Sequence, residues 1–120
     1  MDTFVPNVIW DYLLSRDKNL LYKFVLSDNL WIRRISIIST LSFIRQNKFD
    51  DTIKLCEILI NDKHDLIHKA TGWMLREAWK RDKQVLLDFL DKFYKTMPRT
   101  MLRYALEKLS TEEKRFYMKK

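Results

Sequence analysis

Two short stretches hold the residues whose chemistry is easiest to name. In "HKATGWMLREAWKRDK", residues 68–83, Trp73 stands among Lys69, Arg76 and Lys80. On a helix, positions three and four apart share a face, so Trp73 lines up with these cations and with Glu77. In "DNLWIRR", Trp31 precedes Arg33 and Arg34. One of these two arginines must point away from the core. An indole among cations suits a sugar or base edge whose phosphates the cations hold. A helix start adds free N–H groups and a positive dipole end for a phosphate. Periodicity alone leaves two readings of Trp73 open. It is a ligand contact at the border of the buried stripe, or a core tryptophan with solvated neighbours. Gly72, the one glycine in the chain, stands beside it. Glycine inside a helix costs roughly 0.5–1 kcal/mol relative to alanine. It also removes a side chain, so another helix or a ligand can approach closely.

Other chemistries find few residues. No Ser-His-Asp spacing, glycine-rich phosphate loop or HExxH is present. Cys56 is the one cysteine and falls on the apolar side of a helical pattern, which reads as a buried structural thiol. His64 and His68 are four apart with no third ligand near, so they read as polar surface residues, and neither a metal nor a cofactor is expected. Asp17, Asp28, Asp50, Asp62, Asp65 and Asp82 fall at helix starts or connectors, where capping explains them. Asp2 precedes an apolar helical pattern and, taken alone, is read the same way.

Charge agrees with the cationic stretches. Lys and Arg total 23 against 16 Asp and Glu, for a net charge of +7. That balance favours an anionic partner, nucleic acid first. No apolar run approaches the ~18–20 residues of a membrane span, and the N-terminus lacks a signal-peptide pattern. A cytoplasmic, monomeric protein is expected, and the absence of disulfides fits.

The elements that must position these residues are helices. Hydrophobic residues make up 47% of the 120, with one glycine, two prolines and no Asn-Gly or Asp-Gly pair for hairpins. Apolar periodicity predicts helices over about 4–14, 17–27, 29–47, 50–61, 65–80, 83–96 and 98–109, with a last one after the Ser110–Glu113 capping box. Asp28 or Asn29 caps the third, Asp82 caps the sixth, and Pro98 suits the first turn of the seventh. The helices pair off at intervals of roughly 31–42 residues. A faint repeat supports this: Ile32-Arg33-Arg34, then Ile67-His68-Lys69, then Pro98-Arg99-Thr100. The expected architecture is an all-α, HEAT-like α-solenoid of stacked antiparallel helix pairs, one domain over residues 1–120. Ile35, Ile38, Leu41, Leu55, Ile58, Leu59, Met74, Leu87, Phe89 and Leu90 are its expected core.

The blocks "SDNLWIRRISIISTLSFIR", "DLIHKATGWMLREAWKRD" and "MPRTMLRYALEKLS" occur in an order and at separations that carry a family likeness. The chain resembles the C-terminal half of the DNA alkylation repair proteins of the AlkD type. These are HEAT-like solenoids that wrap DNA, and they are glycosylases for N3- and N7-alkylated purines. The resemblance implies duplex DNA with alkylated purines as the partner. "MDTFVP" matches the family's V-D-x-x-x-P block, which implies that Asp2 is the catalytic carboxylate. The second arginine of "WIRR", Arg34, matches the active-site arginine. Trp73 of "GWMLRE" matches a cleft tryptophan against the deoxyribose backbone, with Gly72 allowing close packing behind it. Arg76 is implied as an auxiliary phosphate contact. With Arg33, Lys69 and Lys80, these residues form the expected DNA-binding track. The family is thought to work without base flipping, so no base pocket is expected.

The family pattern also has upstream repeats and an aromatic four residues before the aspartate. Neither is in this sequence, so the 120-residue chain alone is expected to be weakly active or inactive. The competing expectations are a non-catalytic α-solenoid that binds nucleic acid and an interaction solenoid whose basic face meets an acidic protein.

Overall fold

A computed structural model describes residues 18–118. Among them every regular element is an α-helix and no strand occurs, as the periodicity predicts. The helices are α1 (Lys18–Val25), α2 (Leu30–Ser39), α3 (Leu41–Ile44), α4 (Asp50–Leu59), α5 (Asp65–Arg81), α6 (Lys83–Phe93), α7 (Arg99–Leu106) and α8 (Thr111–Met118). The expected helix over about 4–14, and Asp2 with it, lie outside the described residues.

Local chemistry sets most helix ends. Asn29 caps α2, its side-chain oxygen accepting from the backbone N–H of Trp31 at 2.8 Å and of Ile32 at 3.2 Å. Asp82 accepts from the N–H of Gln84 at 3.1 Å at the start of α6. Ser110 and Glu113 exchange side-chain to backbone hydrogen bonds, each 3.2 Å, ahead of α8.

The helix expected over 29–47 is broken in two. Thr40 separates α2 from α3, and its N–H bonds to the Ile37 carbonyl, three residues back, at 3.1 Å. Hydroxyls compete for the carbonyls in this stretch. Ser36 donates to Arg33 O and Ser39 to Ile35 O, both at 2.6 Å, and Thr40 donates to Ile37 O at 2.7 Å. Such back-bonding bends helices. After α3 the chain turns at Asn47, whose φ is 60°. Asn47 N–H and Lys48 N–H donate to Ile44 O and Phe43 O, each 2.9 Å, which closes a Schellman motif.

Helix α5 is the hub. It packs against α2, α3, α4, α6 and α7, most extensively against α7. Ile67, Ala70, Thr71, Met74, Leu75 and Ala78 form its buried side. Of the expected core, Leu55, Leu59, Met74, Phe89 and Leu90 are buried. Ile35, Ile38, Leu41 and Leu87 are partly buried against that core. Ile58 is 39% exposed, against expectation. The inward side of α4 is centred on Thr52, Leu55, Cys56 and Leu59, and this leaves Ile58 on its flank. Cys56 is fully buried, as read from the sequence. Burial, then the charge of Glu57, pushes its thiol pKa up, so the thiol is not ionised near neutrality.

Gly72 sits where α5 meets α7. A Cβ there would lie 2.5 Å from Tyr104 Cβ and 2.6 Å from the Met101 carbonyl oxygen. Neither neighbour is the free end of a flexible side chain, so α7 itself would have to move. The close approach foreseen at this glycine is thus taken by a helix. Gly72→Ala gains helix propensity but overpacks the seam, and overpacking costs typically 1–3 kcal/mol. Thermal or urea unfolding is expected to show a net destabilisation of about 1–2 kcal/mol; unchanged stability would mean that the seam is more compliant than this geometry allows.

Candidate nucleic-acid interface

One side of α5 carries Leu66, Lys69, Ala70, Trp73 and Arg76, at spacings of three and four residues. Arg34 reaches the same place from α2 and Tyr104 from α7. Together they line an open cavity of about 230 Å³. Its lining has three cationic side chains, two aromatic rings and no carboxylate. Four residues singled out from the sequence, Arg34, Lys69, Trp73 and Arg76, are brought together here from two helices more than thirty positions apart in the chain.

The cations differ in how they are held. Arg34 has no ion-pair or hydrogen-bond partner among the described residues. Lys69 lies 3.4 Å from Asp65, one turn back on α5. A hydrogen bond from the Thr100 side chain, ahead of Lys69, keeps the Asp65 carboxyl below its ordinary range despite some desolvation. Arg76 pairs through Nη1 with Glu107, just past the end of α7. Its Nε is buried without a hydrogen-bond partner. Trp73 donates its indole N–H to Glu77 at 3.2 Å, and the same carboxylate oxygen takes Lys80 Nζ at 3.1 Å. Lys80 is therefore linked to Trp73 through Glu77 but does not line the cavity.

Trp73 is half-buried and packs against the core. It stands at the border of the buried stripe, packed at one side and lining the cavity at the other. Trp31 stands one turn before Arg34 on α2 and is 58% exposed.

Arg33 turns elsewhere. Its Nε donates to Asp62 Oδ2 at 2.7 Å and its Nη1 to the Ser27 carbonyl at 2.9 Å. The two ion-paired side chains are only 12% and 8% exposed. Asp62 also accepts from the His64 backbone N–H at 2.9 Å. The Asp62 carbonyl lies 2.6 Å from His68 Nε2, which therefore carries the donated proton. The polar connector "NDKHD" is thus tied to α2 by Arg33 and to α5 by His68. Of the adjacent arginines, one is in the frame of the fold and the other lines the cavity.

Asp2 lies outside the described residues. No group of three His, Cys, Asp or Glu among the described residues could hold a metal ion, and no described helix is long and apolar enough to cross a membrane. Sequence reasoning did not single out Tyr104. The signal was Gly72, which calls for a close neighbour, but the neighbour's identity depends on a helix pairing across some thirty residues.

A family model described as DNA alkylation repair enzyme matches residues 1–109. No curated protein and no solved structure matches the chain.

The split between the arginines is measurable. Arg33→Ala leaves Asp62 largely buried and unpaired, so it is expected to cost about 3–5 kcal/mol in unfolding experiments. Arg34→Ala removes no partnered group and is expected to cost under about 1 kcal/mol. Equal losses from the two substitutions would show that Arg34 also supports the fold.

Proposed function

The chain belongs to the DNA alkylation repair enzyme family, and from that premise we propose that it binds duplex DNA containing N3- or N7-alkylated purines and hydrolyses their glycosidic bond. The observation that carries the binding half is the cavity where Arg34, Lys69 and Arg76 surround Trp73 with no carboxylate among the lining residues. Phosphates take the cations, and the sugar lies against the indole face. The contacts of α2 with α5, of α5 with α7 and of α1 with α4 support an α-solenoid of paired helices, whose α2, α5 and α7 carry the DNA-facing side.

An alkylated purine carries positive charge on its ring. When the C1′–N bond breaks, the bonding pair goes to the base, which leaves neutral, and positive charge develops on the sugar. A fixed carboxylate stabilises that charge and orients a water for attack at C1′. The proton lost from the water passes to the carboxylate or to solvent. In this reading Asp2 is the carboxylate, on the strength of its place in "MDTFVP". Arg34 fixes a phosphate beside the lesion, and Trp73 holds the sugar in line. Arg76 and Lys69 are further phosphate contacts, and Lys80 steers from the rim.

A second reading is favoured by the same lining. The carboxylates nearest the cavity, Asp65, Glu77 and Glu107, are all engaged with cations. The described side chains therefore suit binding without hydrolysis, and a helical module that only holds DNA would look the same. Binding and base release separate the two.

Affinity for a duplex oligonucleotide is expected to fall linearly in log–log form with salt, with a slope of about −0.9 per phosphate contact. Arg34→Ala should lower that slope by about 0.9 in magnitude and weaken different sequences alike. A salt-independent affinity would sink the binding half. On methylated duplex DNA the chain by itself is expected to release little 7-methylguanine, and in any longer form that releases it Asp2→Asn is expected to abolish most release while leaving binding nearly intact. Undiminished release by Asp2→Asn in such a form would overturn the assignment of that carboxylate, and DNA binding with no release from any longer form would leave the binding module as the function.

A further inference from the structure

Tyr104 stands in the cavity with chemistry that the fold does not use. Its Cβ is the part that meets the α5 backbone, against Gly72. Beyond the Cβ, the ring makes no aromatic contact and the hydroxyl makes no hydrogen bond with any described residue. This differs from the two described tyrosines that donate to carboxylates. Tyr22 donates to Asp51 at 2.7 Å and Tyr117 donates to Asp91 at 3.2 Å. It also differs from Trp73, whose one polar atom is already taken by Glu77. Trp73 therefore offers an incoming molecule only its ring, whereas Tyr104 offers a ring and an unengaged hydroxyl.

The surroundings identify what would use both. A nucleic-acid strand alternates the apolar face of a sugar with an anionic phosphate. The cavity alternates aromatic rings with Arg34, Lys69 and Arg76. Resting on the DNA-binding reading above, we infer that Tyr104 is a second substrate-contacting residue. Its ring joins Trp73 in receiving a deoxyribose, and its hydroxyl donates to a phosphate oxygen of the same strand. Gly72 is the device that makes this possible, because it lets α7 come close enough for Tyr104 to share a cavity with the residue next to that glycine. A neutral donor supplies a contact without charge, so this one adds affinity but releases no counterion of its own.

That last property gives a test distinct from the test of the cations. The probe is a labelled duplex oligonucleotide with one tetrahydrofuran abasic site, titrated at several salt concentrations. Tyr104→Phe removes the hydroxyl alone and is expected to weaken binding about three- to tenfold. Its salt slope should equal that of the parent chain, unlike that of Arg34→Ala. Tyr104→Ala also removes the ring and is expected to weaken binding by more than about tenfold. It keeps the Cβ that rests on Gly72, so a thermal melt close to the parent's should accompany the loss. Should Tyr104→Ala melt early instead, Tyr104→Phe decides. Parent-like affinity of Tyr104→Phe, or a reduced salt slope, would overturn the hydroxyl–phosphate contact. Parent-like affinity of a folded Tyr104→Ala would overturn the role of the ring. Were the parent chain not to bind the duplex at all, the DNA-binding reading would fail and this inference would fall with it.

Discussion

The absence of one methyl group organises this molecule. At Gly72, α5 and α7 approach so closely that even a Cβ would strike the Met101 carbonyl and Tyr104 Cβ. Glycine inside a helix is unfavourable by itself. The cost is offset by the α5–α7 seam, the most extensive helix contact among the described residues. The same approach sets the distance between the outward side chains at the seam's edge. Trp73 follows Gly72 directly, and Tyr104 is the residue that covers it. Core packing and cavity geometry are therefore one constraint, because a wider seam would loosen the core and separate the two rings together.

The electrostatics follow a different logic, in which neighbouring cations are assigned to different tasks. Arg33 is held in a largely buried pair, where removing a partner is costly and the pair itself is weak evidence of net stability. Arg34, one position on, has nothing among the described residues to neutralise it. Between these extremes, Lys69, Lys80 and Arg76 are paired with Asp65, Glu77 and Glu107. Asp65, Glu107, Lys69 and Lys80 are substantially exposed, and exposed pairs are worth little. A phosphate can compete for such cations without disturbing the core. The carboxylates also limit how far long side chains wander, which lowers the ordering cost when an anion arrives. Net charge alone reports none of this partition.

What the sequence made legible depended on the range of the interaction. Helix identity, the caps at Asn29, Asp82 and Ser110, and most of the apolar stripes follow from neighbours within four residues, and they were readable. The break at Thr40 was not, because the periodicity of "NLWIRRISIIST" continues through it. The hydroxyls of Ser36, Ser39 and Thr40 compete for carbonyls without changing the apolar pattern. Ile58 was misassigned because an apolar residue on the flank of a stripe looks like one at its centre. At the candidate site, Lys69, Trp73 and Arg76 share a face by spacing alone, so their grouping was legible. Which of Arg33 and Arg34 would join them was not legible from spacing, since that depends on where Asp62 lies, and only the family likeness pointed to Arg34. Tyr104 stayed hidden for the same reason, as its place is fixed by a helix pairing.

Placing these side chains on packed helices also bears on what the site can do. Arg34 and Tyr104 stem from helices that each pack directly on α5, the helix of Trp73, so their placement relative to it is set by helix packing and not by loops. Positioning to within about 1 Å is what separates a surface that attracts DNA from one that can align a sugar for displacement at C1′. The cavity offers cations and rings for such positioning. Chemistry needs a carboxylate in addition, and the nearby ones are engaged in holding Lys69, Arg76, Lys80 and the Trp73 indole. Freeing Glu77 for catalysis would release Trp73, and freeing Glu107 would release Arg76. An acid acting on a sugar cation, as in the proposed function, would therefore have to come from outside this set. On the proposed function, the helices would hold the strand and a separate carboxylate would act on it.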